Sequence, residues 1–305
     1  MEKALSLNSF TKVMAWLLAG ITLCFTNARA ENRLPTEEGS ITYGGITLPY
    51  RIIKTSPETA GTTVLAMYLH GGTSKGSDNI AQMKEPGIDS IANYLTSHNI
   101  KAILLVPQCP ADKSWSGPTL PMLKALIAQY TDSGEADPDK VYLFGGSMGG
   151  TGTWTMLSNY PNTFAAAMPV AANPSRCNAE STASTPVFTV MGTDDKIMSV
   201  ETAATFVSRL IALGGEVEME TEERWTHEDT CIKSYTNTRL DWVFSHTRIK
   251  TAVGETVASE GHGSLKQYFY IDGKPVIGSP TPGIYIEMCT PPNGGEKVWR
   301  KVWRL

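Results

Sequence analysis

Short apolar runs alternate with segments of helical spacing along most of the chain. Each run is short and apolar enough for a strand that is buried on both faces of a parallel sheet. These runs lie at residues 63–70, 101–107, 140–145, 164–171 and 186–192. Apolar residues recur at helical spacing in residues 88–97, 120–130, 151–159 and 200–213. The alternation predicts an α/β fold in which helices cover both faces of a mostly parallel sheet.

The same pattern predicts how this sheet begins and ends. Two short strands around Gly44-Gly45 should form a hairpin within residues 41–54. A last strand near residues 216–221 and a last helix near residues 231–245 would complete the sheet. The connection at residues 173–185 is too short for an inserted lid domain. A site at the carboxyl ends of the strands should therefore be open.

The amino-acid composition of the chain changes after His246. Residues 251–264 are rich in Gly, Ser, Thr and Glu, which is typical of a linker. Three strand-like pieces follow, separated by turn signals at Asp272-Gly273 and at residues 291–295. The pieces lie at residues 268–271, 283–288 and 297–303. They predict a separate β-rich tail.

Residues 1–30 have the layout of an export signal. Lys3 and Lys12 precede an apolar run at residues 13–25, and Ala28-Arg29-Ala30 offers a small-residue cleavage site. Because the run is shorter than the ~20 residues that cross a bilayer, a membrane anchor is the weaker interpretation. We expect a secreted, periplasmic or cell-surface protein that is not integral to the membrane. The chain is thus divided into a signal peptide (1–30), an α/β domain (31–248), a linker (249–264) and the tail (265–305).

Charge and cysteine content narrow the possible partners. The net charge of −4 at pH 7 provides no basic footprint for nucleic acid. Without the signal, Cys109, Cys177, Cys231 and Cys289 remain, and they lack the close Cys/His spacing of a zinc site. We expect no metal and no cofactor. Cys177 and Cys231 each fall in a loop at the carboxyl edge of the sheet, so we predict a disulfide between them, with small buried thiols as the alternative.

The pentapeptide Gly145–Gly149 fits the pattern G-x-S-x-G. A predicted strand comes immediately before it and a predicted helix immediately after it. A serine on such a strand-to-helix turn projects above the sheet, beside helix amides that favour negative charge. The pentapeptide alone could be a glycine-rich turn without chemistry, but in this context it predicts Ser147 as a nucleophile.

A serine nucleophile requires a histidine base and a carboxylate that orients the histidine. Of the five histidines, His227 alone occupies a loop between a late strand and the last helix, where this arrangement places its base. His70 is better interpreted as support for the loop that it begins. The acid should follow the strand that ends near Gly192, where Asp194 and Asp195 are nearly equal candidates by spacing alone.

Two further features bear on the predicted site. Stabilisation of an oxyanion requires the amide of Met148 and one amide from the loop after the first parallel strand, for which Gly72 is the candidate. The glycine pair at 71 and 72 could also be simply a tight turn. Trp115 follows a strand's carboxyl end and could either stack on a sugar or aromatic ring of a substrate or anchor its own loop.

Residues from Leu48 to His246 resemble the secreted α/β-hydrolase esterases related to polyhydroxybutyrate depolymerase, feruloyl esterases and the "predicted peptidase" branch. The matching segments are Leu69–Gly72, Gly76–Asn79, Pro107–Pro110 with Trp115, Asp139–Tyr142, Gly145–Gly150, Tyr160-Pro161, Phe164–Ala166 and Gly192–Asp195. The last match assigns the acid to Asp195. Cys231 departs from the family near a position where relatives often have tryptophan. The tail separately resembles the C-terminal sorting segments of Bacteroidetes secreted proteins, which implies contact with secretion machinery or the cell surface.

The resemblance implies a serine esterase that removes acetyl or feruloyl groups from plant polysaccharides, as acetyl xylan esterases and feruloyl esterases do. A serine peptidase is an alternative, because the same triad cleaves amides. A catalytically silent protein that binds glycans or surfaces is a third possibility, although a complete Ser, Asp and His set in the correct order argues against it.

Overall fold

The computed structural model describes residues 34–55, 61–248, 265–269, 283–290 and 298–304. The predicted signal at 1–30 and the predicted linker at 249–264 lie outside these ranges. No helix within the described ranges is long and apolar enough to span a bilayer.

The larger sheet has eight strands in the order β1-β2-β4-β3-β5-β6-β7-β8. The strands are β1 (Thr36–Tyr43), β2 (Ile46–Thr55), β3 (Val64–Leu69), β4 (Ala102–Pro107), β5 (Val141–Gly146), β6 (Ala166–Val170), β7 (Val187–Gly192) and β8 (Val217–Glu222). The predicted hairpin around Gly44-Gly45 forms as β1 and β2, and β2 runs antiparallel to β4. The strands from β3 to β8 are parallel. The mostly parallel sheet that the sequence predicts is therefore confirmed.

Helices cover both faces of this sheet and form two separate cores. The helices are α1 (Pro86–Ser97), α2 (Thr119–Asp132), α3 (Met148–Asn159), α4 (Ala179–Thr182), α5 (Val200–Ala212), α6 (His227–Lys233) and α7 (Asn237–Phe244). Leu126, Trp154 and Phe206 bring α2, α3 and α5 into one core. Ile91 and Leu240 bring α1 and α7 into the core on the opposite face. We call these the α3 face and the α1 face.

The last predicted helix is in fact two helices. α6 begins at His227, earlier than expected, and ends before Tyr235, whose side chain turns into the core of the α1 face. The Arg239 guanidinium donates a hydrogen bond to the Ser234 carbonyl (3.1 Å), so this carbonyl is satisfied although the helix does not continue.

No lid domain is inserted between β6 and β7. Within the described residues, the four-residue helix α4 is the one regular element of this connection. The tail forms a second, three-stranded antiparallel sheet in the order β11-β10-β9. Its strands are β9 (Leu265–Phe269), β10 (Gly283–Thr290) and β11 (Val298–Arg304). The three predicted strands are present, with the first one beginning earlier than expected.

Candidate active site

Ser147 lies on a sharp turn between β5 and α3. Its φ of 57° and ψ of −120° are conformations that residues other than glycine rarely adopt. A Cβ on Gly149 would overlap the carbonyl oxygen of Leu69, and a Cβ on Gly145 would lie 2.5 Å from the Gly149 carbonyl carbon. The turn thus requires glycine on both sides of the serine, which is the physical reason for the G-x-S-x-G pattern. The strained turn holds the serine at the carboxyl end of the sheet, partly exposed.

His227 bridges Ser147 and Asp195. Its Nε2 lies 2.7 Å from Ser147 Oγ, and its Nδ1 lies 2.8 Å from Asp195 Oδ2. The Asp195 side chain is fully buried and that of His227 is 16% exposed. A carboxylate only accepts hydrogen bonds, so Nδ1 carries the proton and Nε2 accepts from the serine hydroxyl. The histidine therefore holds the tautomer that can remove the serine proton.

The structure also distinguishes between the two neighbouring aspartates. Asp195 Oδ1 accepts hydrogen bonds from the amides of Ile197 and Met198, both at 2.8 Å, which leaves Oδ2 directed at His227. Asp194 is exposed and lies 4.0 Å from the ammonium of Lys196. Only the Asp195 carboxylate reaches the imidazole.

A capping box sets the position of His227. Thr226 is the N-cap of α6, and its hydroxyl accepts from the Asp229 amide (3.2 Å). The Asp229 carboxylate accepts from the Thr226 amide (3.1 Å) in return. The ion pair with Lys233 and the hydrogen bonds from Thr226 lower the pKa of Asp229 to about 2. His227 is thus the first residue of a well-capped helix, a role that the T-x-x-D pattern at 226–229 could have revealed.

The amides of Met148 and Gly72 both stand at the start of a helix. Met148 is the first residue of α3, and Gly72 begins a 3₁₀ turn over Gly72–Ser74. The first amides of a helix have no acceptor within the helix. A Cβ built on Gly71 would lie 3.7 Å from Ser147 Cβ, so the glycine loop runs beside the serine. The starts of α3 and of the 3₁₀ turn therefore both lie next to Ser147.

His70 fixes the direction of the Gly72 amide. The Cys109 amide donates to His70 Nε2 (2.9 Å), so Nδ1 carries the proton and donates to the Gly71 carbonyl (2.6 Å). The Gly71 carbonyl and the Gly72 N–H belong to one planar trans peptide and point in opposite directions. Burial lowers the pKa of His70 to about 4, which keeps this ring neutral. The interpretation of His70 as support for the loop agrees with these contacts.

A polar network around Gln108 braces the same loop, since the Gln108 side chain donates a hydrogen bond to the Ser74 carbonyl (3.3 Å). The side-chain oxygen of Gln108 accepts a hydrogen bond from the backbone N–H of Asn79 (2.7 Å), and the side-chain NH₂ of Gln108 donates to Asp78 Oδ1 (2.7 Å). The Asn79 side chain donates to the Tyr50 carbonyl (3.1 Å). These three side chains belong to the segments at 76–79 and 107–110, and their bracing role was not predicted from the sequence. Polar residues within an otherwise apolar setting were the available signal.

The prediction that Trp115 stacks on a substrate is wrong. Its side chain is 2% exposed and packs against Gly152 of α3. Its indole N–H donates to the His70 carbonyl (2.9 Å). Trp115 is therefore the loop anchor that was the alternative interpretation, and it positions the peptide before the glycine pair.

The predicted disulfide between Cys177 and Cys231 is also wrong, because both residues are free thiols. Cys177 packs against the core of the α3 face. Cys231 Sγ lies 3.3 Å from the position of a Cβ on Gly146, a position beside the Tyr68 hydroxyl on the α1 face. The sheet separates the two sulfurs. Burial raises the pKa of Cys177 to about 11 and that of Cys231 to about 12, so both remain protonated at neutral pH.

The described residues contain no cluster of three or more His, Cys, Asp or Glu side chains that could hold a metal ion.

No protein-family model and no curated protein matches this chain. Among solved structures, it is similar to a thermostable esterase, with 26% identity and a TM-score of 0.64 over 70% of this chain and 63% of that one. Est1E from Butyrivibrio proteoclasticus shares 15% identity over 68% of this chain and 98% of its own, with a TM-score of 0.53. A puromycin-hydrolyzing peptidase of Mycobacterium tuberculosis shares 15% identity over 70% of this chain and 40% of its own, with a TM-score of 0.56.

This chain thus spans less than two thirds of the length of the thermostable esterase. The likeness to these structures, together with the strand order and the helices on both faces, shows that the chain has the α/β-hydrolase fold. The fold predicted from the sequence is confirmed.

Proposed function

We propose that this protein is a serine carboxylic-ester hydrolase in which Ser147 is the nucleophile, His227 the base and Asp195 the residue that orients the base. One observation carries the proposal. Asp195, His227 and Ser147 form a continuous hydrogen-bonded chain that ends on a strained, partly exposed serine. Such strain is maintained where the surrounding structure holds a reactive group in place.

The proposed reaction proceeds through an acyl-enzyme. Ser147 Oγ attacks the ester carbonyl carbon while its proton passes to His227 Nε2. The carbonyl oxygen becomes an oxyanion and accepts hydrogen bonds from the Met148 and Gly72 amides. Collapse of this intermediate breaks the C–O bond to the alcohol, which leaves with the proton from His227. Water, deprotonated by the same imidazole, then attacks the acyl-serine and releases the carboxylic acid.

The substrates that we propose are acetyl or feruloyl esters carried on plant polysaccharides. The connection between β6 and β7 contains only the short helix α4, and Gly72 and Thr73 on the loop beside the serine are exposed. An open cleft accommodates an ester on a bulky polymer better than a long buried acyl chain. The burial of Trp115 means that this side chain takes no part in sugar binding.

We expect acetylated and feruloylated xylan fragments to give kcat/KM values at least tenfold higher than long-chain acyl esters, because the described connection between β6 and β7 contains no lid that would bury an alkyl tail. A chain-length series of nitrophenyl esters, assayed beside the acetylated and feruloylated oligosaccharides and a set of peptides, measures this directly. A preference for long acyl chains would contradict the open-cleft argument. A preference for peptides would favour the peptidase alternative, to which the similarity with the puromycin-hydrolyzing peptidase also points.

We also propose that residues 1–30 direct export and that the tail contacts secretion machinery or the cell surface. The proposal rests on the layout of the signal and on the resemblance of the tail to sorting segments. The proposed ester hydrolase would then act outside the cytoplasm, where polysaccharide substrates are found.

The end of the α/β domain is held by Arg248. Its guanidinium pairs with Asp139 (2.7 Å) and donates to the Asn162 carbonyl (2.9 Å). Just before it, the His246 carbonyl accepts from the Tyr142 hydroxyl (2.6 Å). These contacts tie the last described residues of the domain to β5 and its neighbours.

A chain ending at Arg248 should therefore keep the turnover and melting temperature of the α/β domain. A chain ending at Ser245 should melt roughly 5–10 °C lower, because it loses these hydrogen bonds and the ion pair. Thermal unfolding and turnover of a soluble ester are measured on both chains and on one with residues 31–305. Loss of turnover in the chain ending at Arg248, without loss of stability, would show that the tail contributes to the site.

A further inference from the structure

The carboxylate of Glu85 accepts hydrogen bonds from the glycine loop, residues 71–74, which lies beside Ser147. Its Oε1 accepts a hydrogen bond from the Gly71 amide (3.1 Å) and a second one from the Ser74 hydroxyl (2.7 Å). Glu85 precedes α1, whereas its two donors stand at either end of the 3₁₀ turn that contains Gly72. One oxygen atom thus ties together both ends of the turn.

Glu85 completes a set of contacts that fixes two consecutive peptide groups. In the peptide between residues 70 and 71, the carbonyl accepts from the Trp115 indole and the N–H donates to Glu85. In the next peptide, the Gly71 carbonyl accepts from His70 Nδ1 and from the Ser74 amide (3.3 Å). The N–H of that second peptide belongs to Gly72. Because each peptide is planar, fixing the first one and the second carbonyl leaves the Gly72 N–H a single direction.

We infer that Glu85 is a positioning residue that aims the Gly72 amide at the oxyanion of the reaction proposed above. Glycine at 71 and 72 makes the backbone of this turn permissive, so the direction of the amide depends on contacts from outside the turn. Hydrogen-bond donors of an oxyanion hole contribute only when they are held in place before charge develops. Glu85 can fix the turn because its side chain is long enough for one oxygen to accept hydrogen bonds from both Gly71 and Ser74.

Two conservative substitutions separate the effect of the length of the Glu85 side chain from the effect of its negative charge. Glu85→Gln keeps an acceptor oxygen at the same distance from the backbone and removes the charge. Glu85→Asp keeps the charge but shortens the side chain by one methylene, so its oxygens can no longer reach Gly71 and Ser74 together. Positioning by reach predicts that the glutamine variant is active and that the aspartate variant is impaired.

The experiment measures kcat and KM of the full chain for a soluble acetyl ester. We expect Glu85→Asp to lower kcat by about 10- to 100-fold with KM within twofold, because an oxyanion contact acts in the transition state. Glu85→Gln should stay within about threefold of the unaltered protein. Inhibition by an aryl trifluoromethyl ketone, which forms an oxyanion on the serine, should weaken in the aspartate variant by a factor similar to the loss in kcat.

Glu228→Gln is the matched control, since this exposed carboxylate follows His227 in the chain and has no described hydrogen bond to the glycine loop, and it should keep turnover within twofold. Melting temperatures show whether either Glu85 variant is unfolded. The inference would be overturned if the two Glu85 variants had the same kcat, or if Glu85→Gln lost more kcat than Glu85→Asp. An active Ser147→Ala variant would instead overturn the proposed function, so the two failures are distinguishable.

Discussion

Ser147→Ala should lower kcat/KM for an acetyl ester by about 10⁴- to 10⁶-fold, because it removes the atom proposed to attack the carbonyl. The fold should not change. Alanine and serine both carry a Cβ, so the strain of the turn at a φ of 57° is the same in the two proteins. The melting temperature should accordingly stay within about 2 °C of the unaltered protein.

The measurement combines ester turnover with labelling by a fluorophosphonate, which reacts with an activated serine. Ser208→Ala is a suitable control because this exposed serine lies on α5 and donates only to the Ala204 carbonyl. It should keep both turnover and labelling. Turnover by Ser147→Ala at the level of the unaltered protein would rule out the proposed nucleophile. Labelling of Ser147 without ester turnover would point to the peptidase alternative.

Asp195→Asn should lower kcat by about 10³- to 10⁴-fold, although the change replaces one oxygen with nitrogen. The amides of Ile197 and Met198 both donate to Oδ1, so the asparagine must keep its oxygen on their side. Its NH₂ group then faces His227 Nδ1, which has to accept. The imidazole proton moves to Nε2, where it faces the Ser147 hydroxyl and blocks removal of the serine proton.

Asp194→Asn is the matched control for this variant, since Asp194 is exposed and its only described charge partner is Lys196. It should keep kcat within about twofold. Both variants are assayed with the same soluble ester, and NMR of the imidazole nitrogens reports the tautomer of His227. Equal losses in the two variants would contradict the argument, as would a normal tautomer in Asp195→Asn.

The fold could be predicted because the patterns that indicate its strands and helices each involve residues close together in the chain. The strands from β3 to β7 are buried along their whole length and appear in the sequence as continuous apolar runs. The turn at Ser147 is local in the same sense, since the close approach that requires glycine at 145 is to Gly149, four residues further along the chain. Strand, turn and helix follow one another directly in the chain, so the position of the proposed nucleophile could be predicted without knowledge of distant contacts.

Residues whose partners lie far away in the sequence required the tertiary structure. Spacing left Asp194 and Asp195 nearly equal, and the family resemblance assigned the acid to Asp195. The structure provides the physical reason, because the Ile197 and Met198 amides hold Oδ1 of Asp195 and leave its Oδ2 directed at His227. Glu85 carried no recognisable motif, because its two donors lie in another loop. Spacing within the chain contains little information about such contacts.

The two incorrect predictions have the same physical origin. Trp115 and Cys177 lie in loops as predicted, whereas Cys231 lies within helix α6 and not in a loop. For all three residues, the sequence does not indicate to which side of the sheet the side chain points. Trp115 turns inward against Gly152, and the two cysteines turn to opposite faces of the sheet. The sequence by itself determined which segments are strands and helices and where the turn with the proposed nucleophile lies, because burial and backbone strain leave a local pattern. Only the packing of the sheet decided which side chains meet, because loops from different strands come together through the sheet and not through the order of residues.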